Sequence, residues 1–228
     1  MSRELPILFN TEMVRVILDG RKTCTRRVAK NVPDHTHRIE PIYENGRSQF
    51  NCFYSAYAPT LDIYADFCMP CFPPYQKGDI LYVRETWGTY SKNWLEADYF
   101  MYRADYPNGA TTYTYSDGIV CDLPKWHPSI HMPKEAARIW LKVTDIRVER
   151  LQEITEDGAK AEGANWKNGK NVGWEEKMRH TAIERFAEIW ESTIKKSDID
   201  RYGWEANPWV WVIEFERCDK EGRVVDGR

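Results

Sequence analysis

The stretch DGRKTCTRR, Asp19 to Arg27, gathers Arg21, Lys22, Arg26 and Arg27 around two threonines and a cysteine, in a chain whose net charge is −3. Three kinds of chemistry suit that pattern: a solvated turn, an anion-binding site, or a lysine placed to activate a hydroxyl. A threonine hydroxyl attacks a carbonyl only when a base takes its proton. A lysine is such a base when burial or neighbouring cations favour its neutral form. The sharp expectation is that Lys22 deprotonates Thr25 in the manner of a Ser–Lys pair. Residues three apart in a straight strand point to opposite faces, so this pairing requires a bend between them.

Other residues could complete a site. Glu162 stands just before a helix-stopping glycine, at the negative end of a helix dipole, where a carboxylate is disfavoured by about 0.3–1 kcal/mol. A nearby lysine or arginine would cancel that; a carboxyl so placed would also suit a proton donor to a leaving amine. His131, entering a strand from a proline-rich loop, offers a base-edge or phosphate contact, or simply a backbone hydrogen bond. Arg84 and Glu85 alternate across a strand, so one would face a cleft and the other the opposite side, with a surface ion pair as the plain alternative. Tyr82 and Trp87 could stack on a base or fill a core. Cys68 and Cys71 form C-x-x-C, with Cys52 upstream and Cys121, His35, His37 and His127 elsewhere. A zinc site needs four such ligands, and a second C-x-x-C is absent. Buried free thiols are the competing reading, and no cofactor is expected.

Elements must position these groups. ILFNTEMVRVILDG predicts a short helix capped by Asn10 or Thr11, with Met13, Val14, Ile17 and Leu18 as its apolar face and Gly20 as its stop. The basic run leaves that helix's C-terminal end, where cations are favoured. KGDILYVRETW predicts a strand from Ile80 to Trp87, and ADYFMYRAD a second. A long strand follows PSIHMPKEAAR. Its apolar phase changes after Ile139, Leu141 and Val143, which predicts a bulge near Thr144–Asp145. ITEDGAKAEG predicts a helix with Thr155 as N-cap and Gly163 as stop. A polar loop, NWKNGKNVGW, is expected to be mobile. A helix from Glu175 to about Ile194 then carries Ile183, Phe186, Ala187, Trp190 and Ile194 on one face. NPWVWVIEFERC, apolar on both faces, reads as a central strand. Residues 31–76 show no period and read as an irregular insertion; the tail from about 219 reads as frayed.

The chain has 228 residues, ten of them tryptophan, thirteen tyrosine and eight phenylalanine. Such rings build a core or stack on bases and sugars. With pI about 6.0 it is no globally basic nucleic-acid coat, although residues 15–30 carry six basic residues against one acid. There is no membrane-length apolar run and no secretory leader, so a cytoplasmic location is expected, with the cysteines reduced and no disulfide framework. The sum predicts one β-rich α+β domain over 1–228, with a curved or closed sheet and peripheral helices.

In ILDGRKTCTRR, KGDILYVRETW, ITEDGAKAEG and NPWVWVIEF, taken in that order, the chain resembles the ASCH-domain family of the PUA-like superfamily. SIHMPKEAARI and VRETW are similar to the larger bacteriophage and prophage members. The resemblance spans most of the chain except 31–70, 105–122 and the tail. It implies a PUA-like β-barrel with peripheral helices and loop insertions, and an association with RNA or nucleosides. Some small bacterial members remove the acetyl group from N4-acetylcytidine with a Lys, a Thr and a Glu. Their G-R-K-T-x-T and A-x-x-E patterns fall on Lys22, Thr25 and Glu162. The resemblance thus implies an amidohydrolase of acylated pyrimidine nucleosides or nucleotides, with Arg21, Arg26, Arg84, Glu85 and His131 holding substrate. The alternatives are a non-catalytic RNA-binding module and a metal-independent ribonuclease.

Overall fold

The computed structural model describes residues 2–33, 35–44, 47–59, 63–90, 99–114, 118–164 and 181–225. The strands are β1 (Glu4–Leu8), β2 (Cys24–Val28), β3 (Thr36–Glu44), β4 (Arg47–Ala58), β5 (Ile63–Cys71), β6 (Ile80–Arg84), β7 (Trp87–Tyr90), β8 (Tyr99–Tyr102), β9 (Thr112–Thr114), β10 (Val120–Asp122), β11 (Trp140–Arg150) and β12 (Trp209–Cys218). The helices are α1 (Thr11–Leu18), α2 (Glu156–Ala161), α3 (Ala182–Thr193) and α4 (Ile199–Tyr202). The fold is mixed α+β, mostly strands in several sheets. Its main sheet is five-stranded in the order β1-β6-β11-β12-β2. That sheet is open: β1 and β2 are its two ends among the described residues, where a closed one was an alternative expectation.

The chain divides into two compact units, Met1–Gly20 with Ile80–Lys142 and Arg217–Arg228, and Arg21–Asp79 with Val143–Glu216. In the first, β1 runs parallel to β6, and β6 pairs antiparallel with the start of β11. β1 went unread in the sequence because Pro6 interrupts the ladder; proline is tolerated at a sheet edge, where β1 lies. Asn10 caps α1, accepting a hydrogen bond from the Met13 N–H, and Gly20, at φ +70°, turns the chain out of it. Met132, Ala136, Ala137, Trp140, Ile80 and Cys218 form this unit's small core. The expected strand over 80–87 is two strands, broken at Glu85–Thr86. The tail is ordered into a turn as far as Val225, whose N–H bonds to Arg217 O at 3.1 Å, so fraying from 219 is not what is found.

In the second unit β12 is central, hydrogen-bonded between β11 and β2, as its two apolar faces predict. Burial along β11 runs Leu141, Val143, then Ile146, so the inward phase shifts where a bulge was expected. Thr155 caps α2, and Gly163 follows it at φ +87°. α3 begins at Ala182 under a capping box between Thr181 and Glu184. Its Phe186 and Trp190 pack with Leu151, Ile154, Ala159, Val210 and Val212. Burying such rings contributes roughly 1.5–3 kcal/mol each. The predicted helical residues 175–180 and the loop 165–174 lie outside the described residues.

Residues 31–76 are not irregular. They contain a three-stranded antiparallel sheet, β3-β4-β5. The period-2 signal is missing because β5 is exposed along nearly its whole length, so no buried face imposes alternation. Its register puts Cys71 opposite Phe50 and Cys52 opposite Met69, and Cys52 and Cys71, diagonal neighbours on one face, form a disulfide. The expectation of reduced cysteines, drawn from an expected cytoplasmic location, does not hold for this pair, which strand register brings together. Cys68, three residues from Cys71, falls on the other face and is exposed, so the C-x-x-C does not converge with Cys52.

Candidate functional site

Two turns in the second unit create the site. After Gly20 the chain runs through Lys22 into β2, and Thr23 N–H is anchored to Ala161 O at the end of α2 (2.9 Å). After α2, Glu162 stands as C-cap before Gly163. Two segments 140 residues apart are thereby held side by side. Lys22 Nζ donates to Glu162 Oε2 at 2.5 Å and to Glu162 O at 2.9 Å. Arg26 Nη1 reaches Glu162 Oε1 at 3.3 Å. Lys22 and Glu162 are only 4 % and 6 % exposed. The two cations offset the unfavourable dipole end at which Glu162 sits.

The group continues outward. Arg26 Nε and Nη2 grip Glu149 Oε1 at 3.0 and 2.5 Å. Arg147 bonds both Glu149 and Glu214. Lys22, Glu162, Arg26, Glu149, Arg147 and Glu214 thus alternate in sign from a buried end to a half-exposed one. Arg26 also lies 5.7 Å from the Phe186 ring centroid, which supports its buried position. Glu149, Arg147 and Glu214 were missed in the sequence. Their signal was present: charged residues alternate with apolar ones in IRVERL, and a glutamate interrupts the apolar run VWVIEF.

Beside the group lies a cavity of about 440 Å³ bordered by Thr23, Cys24, Asp157, Arg147, Glu214 and Glu216, among others. Three carboxylates against one guanidinium suit a neutral ligand better than a polyanion. Burial, with Glu162 next in effect, pushes the Cys24 thiol up to about 12, so it stays protonated at neutral pH and is no nucleophile.

The predicted residues separate into groups. Lys22, Arg26 and Glu162 come together. Cys24 and Arg26 both face α2, so alternation along β2 sends Thr25 and Arg27 to the other face, Thr25 being buried there. Lys22 shares the phase of Cys24 and Arg26, and no bend carries it toward Thr25. Burial lowers the pKa of Arg27, with Glu162 and Tyr75 opposing. Arg21 is half-buried and precedes β2. Arg84, Glu85 and His131 belong to the first unit. There the Arg84 guanidinium donates to the backbone carbonyls of Met132 and Ile130. Glu85, 1 % exposed, is held by a two-point pair with Arg138 at 2.9 and 3.0 Å. Burial raises its pKa, Arg138 opposing. His131 is exposed in a single helical turn, Ser129–His131, rather than at a strand entry. Among the described residues no cluster of histidine, cysteine and carboxylate has the makings of a metal site. Tyr82 and Trp87 pack against the first unit's core.

No family model, no curated protein and no solved structure matches this chain. No helix among the described residues is long and apolar enough to cross a membrane.

Proposed function

We propose that the protein is an amidohydrolase acting on an N4-acylated pyrimidine nucleoside or nucleotide, in a PUA-like ASCH fold, in the cytoplasm of a bacterium or phage-infected cell. The observation that carries this reading is the contact of Lys22 with Glu162, a buried amine and carboxylate held at 2.5 Å by two separate turns. Amide hydrolysis needs a group that takes a proton from the nucleophile and one that returns a proton to the leaving amine. A proton passed from Lys22 to Glu162 leaves a neutral amine beside a carboxylic acid, which supplies both. Because Thr25 faces away, the nucleophile in the proposed sequence is water: Lys22 Nζ takes its proton while its oxygen bonds to the acyl carbon. Glu162 protonates N4 as the C–N bond breaks. The acyl group leaves as the carboxylic acid, and the protonated Lys22 and ionised Glu162 restore the starting pair. Arg26 keeps Glu162 oriented. The acid-rich cavity favours the free nucleoside over a polymer.

The second reading, a module that binds RNA without chemistry, is favoured by the burial of Lys22, Thr25 and Glu162, all below 7 % exposure. Incubation with N4-acetylcytidine, followed by chromatography for cytidine, separates the two. Cytidine release that is lost in Lys22→Ala and Glu162→Gln, with folded protein in both, supports hydrolysis. No release by the wild type sinks it.

A further inference from the structure

The sheet β3-β4-β5 has two unlike sides. Residues paired across a ladder share a side, and alternate residues along a strand return to it. From the core outward, the β4–β5 pairs on one side are Phe50–Cys71, Cys52–Met69, Tyr54–Phe67, Ala56–Ala65 and Ala58–Ile63. None of these carries a charge. The other side holds Ser55 and Asp66, joined by a hydrogen bond of 2.6 Å, and Arg38, which stacks 4.1 Å from the Phe53 ring centroid. At the inner end of the uncharged side, Phe50 packs on Trp211 of β12 with ring centroids 5.0 Å apart, and the bonded Cys52 and Cys71 are buried. Along β5 the same side then leaves the core: Met69 is 38 %, Phe67 40 % and Ile63 51 % exposed. The disulfide ties β5 to β4 where burial ends, so the exposed pairs keep their register.

Charge narrows what can cover this face. No lysine or arginine occurs between Arg47 and Lys77, and the acids of that stretch are Asp62 and Asp66. Nucleic acids and anionic lipid surfaces are held by cations, which these pairs do not offer. An uncharged face is matched by another uncharged face. Shape narrows it further. The rings of Tyr54 and Phe67, stacked with centroids 5.7 Å apart, form a row of large side chains next to the small row Ala56–Ala65. A two-fold axis running across the strands, between these rows, lays the ring row of one copy over the alanine row of another. Phe67 then meets the second copy's Ala65, and Tyr54 its Ala56. Each contact is repeated by the symmetry, as in an isologous interface. An axis along the strands would set ring on ring instead.

We infer that this face is the contact between two copies of the chain, with β4 and β5 of one laid on β4 and β5 of the other as two sheets packed face to face. A face of this extent belongs with the interfaces below about 1,200 Å² in total that hold transient complexes. The dimer therefore forms at high concentration and separates on dilution. The inference does not rest on the amide-hydrolase reading, because it shares no residue with the Lys22–Glu162 group.

The test follows the mass of the full chain by sedimentation velocity from micromolar to millimolar concentration. Cys68→Ser is the background, which removes cross-linking through that exposed thiol and leaves Cys52–Cys71 closed. Phe67→Glu and Ala65→Glu place a charge on the face; Tyr64→Glu places one on the opposite side, at a residue 78 % exposed. Each variant is checked for an unchanged melting temperature at low concentration, and Ala65→Glu carries the test if Phe67→Glu melts lower. The mass should rise toward two chains in the background and in Tyr64→Glu, and the dissociation constant should rise at least tenfold in both face variants. A single chain at every concentration overturns the inference. So does association of Ala65→Glu as strong as the background, or a loss in Tyr64→Glu as large as that in the face variants. A chain that stays single and binds a uridine octamer through Phe67 would give the face to nucleic acid, and overturns it too. N4-acetylcytidine turnover in Lys22→Ala bears on none of these outcomes.

Discussion

The two ends of β2 use positive charge in opposite ways. At its start, Lys22 and Arg26 are buried and each meets a carboxylate, Glu162 for both and Glu149 for Arg26. Past its end, Lys30 and Arg150 meet ring faces and backbone carbonyls instead. The six basic residues between 15 and 30 look like one feature in the sequence. Among them, the fold makes Lys22 and Arg26 a compensated group, held by carboxylates, and leaves Lys30 uncompensated, exposed beside the Tyr202 ring. Removing a cation should therefore have different consequences at the two ends.

The largest expected effect is at the compensated end. Lys22→Met leaves buried Glu162 with the longer Arg26 contact alone, and breaking a buried pair costs about 3–5 kcal/mol. Chemical denaturation should show that loss, and the double variant Lys22→Met with Glu162→Leu should regain most of it. If Lys30→Ala destabilises the chain as much as Lys22→Met, the contrast between the ends fails. Under the proposed reaction, Glu162→Gln should lower N4-acetylcytidine turnover by about 10²–10⁴-fold, the usual span for a lost acid–base step. At the uncompensated end, Lys30→Ala should change stability by less than about 0.5 kcal/mol, as surface substitutions usually do.

Smaller effects sharpen the picture through protonation. With its thiol pushed up to about 12 from 9.0, Cys24 should resist alkylation at neutral pH while exposed Cys68 reacts; mass spectrometry of the labelled peptides reads both. Equal labelling of the two in folded protein would contradict the burial of Cys24. Glu85 binds its proton more tightly folded than unfolded, because burial raises its pKa. Its contribution to stability is thus fully present below the ordinary value near 4.5 and is lost as pH rises through the folded pKa. Relative to Glu85→Gln, the wild type should lose stability across that rise; a difference constant with pH between about 4 and 7 would refute the shift.

Much of the local structure was legible. Asn10 and Thr155 cap helices, Gly20 and Gly163 end them, and β12 is central, because caps, stops and two-sided apolar runs act over a few residues. The sheet over 36–71 was not legible, since exposed β5 carries no alternation. Within the site, Lys22 and Glu162 were singled out through the resemblance, and Arg26 was anticipated as a substrate contact rather than as the clamp on Glu162.

The amino-acid sequence by itself determined which residues could carry charge into a core and where the chain must turn beside them. Only the tertiary structure decided partnership. Lys22 and Glu162 are 140 residues apart, and nothing local says that α2 ends where β2 begins. The strand pleat fixed that Arg26 faces α2 and Thr25 does not. The register of β4 against β5 joined Cys52 to Cys71 and left Cys68 outside. Spacing in sequence limits what neighbours can do; distance in space follows from packing elements that have no knowledge of each other until the core forms.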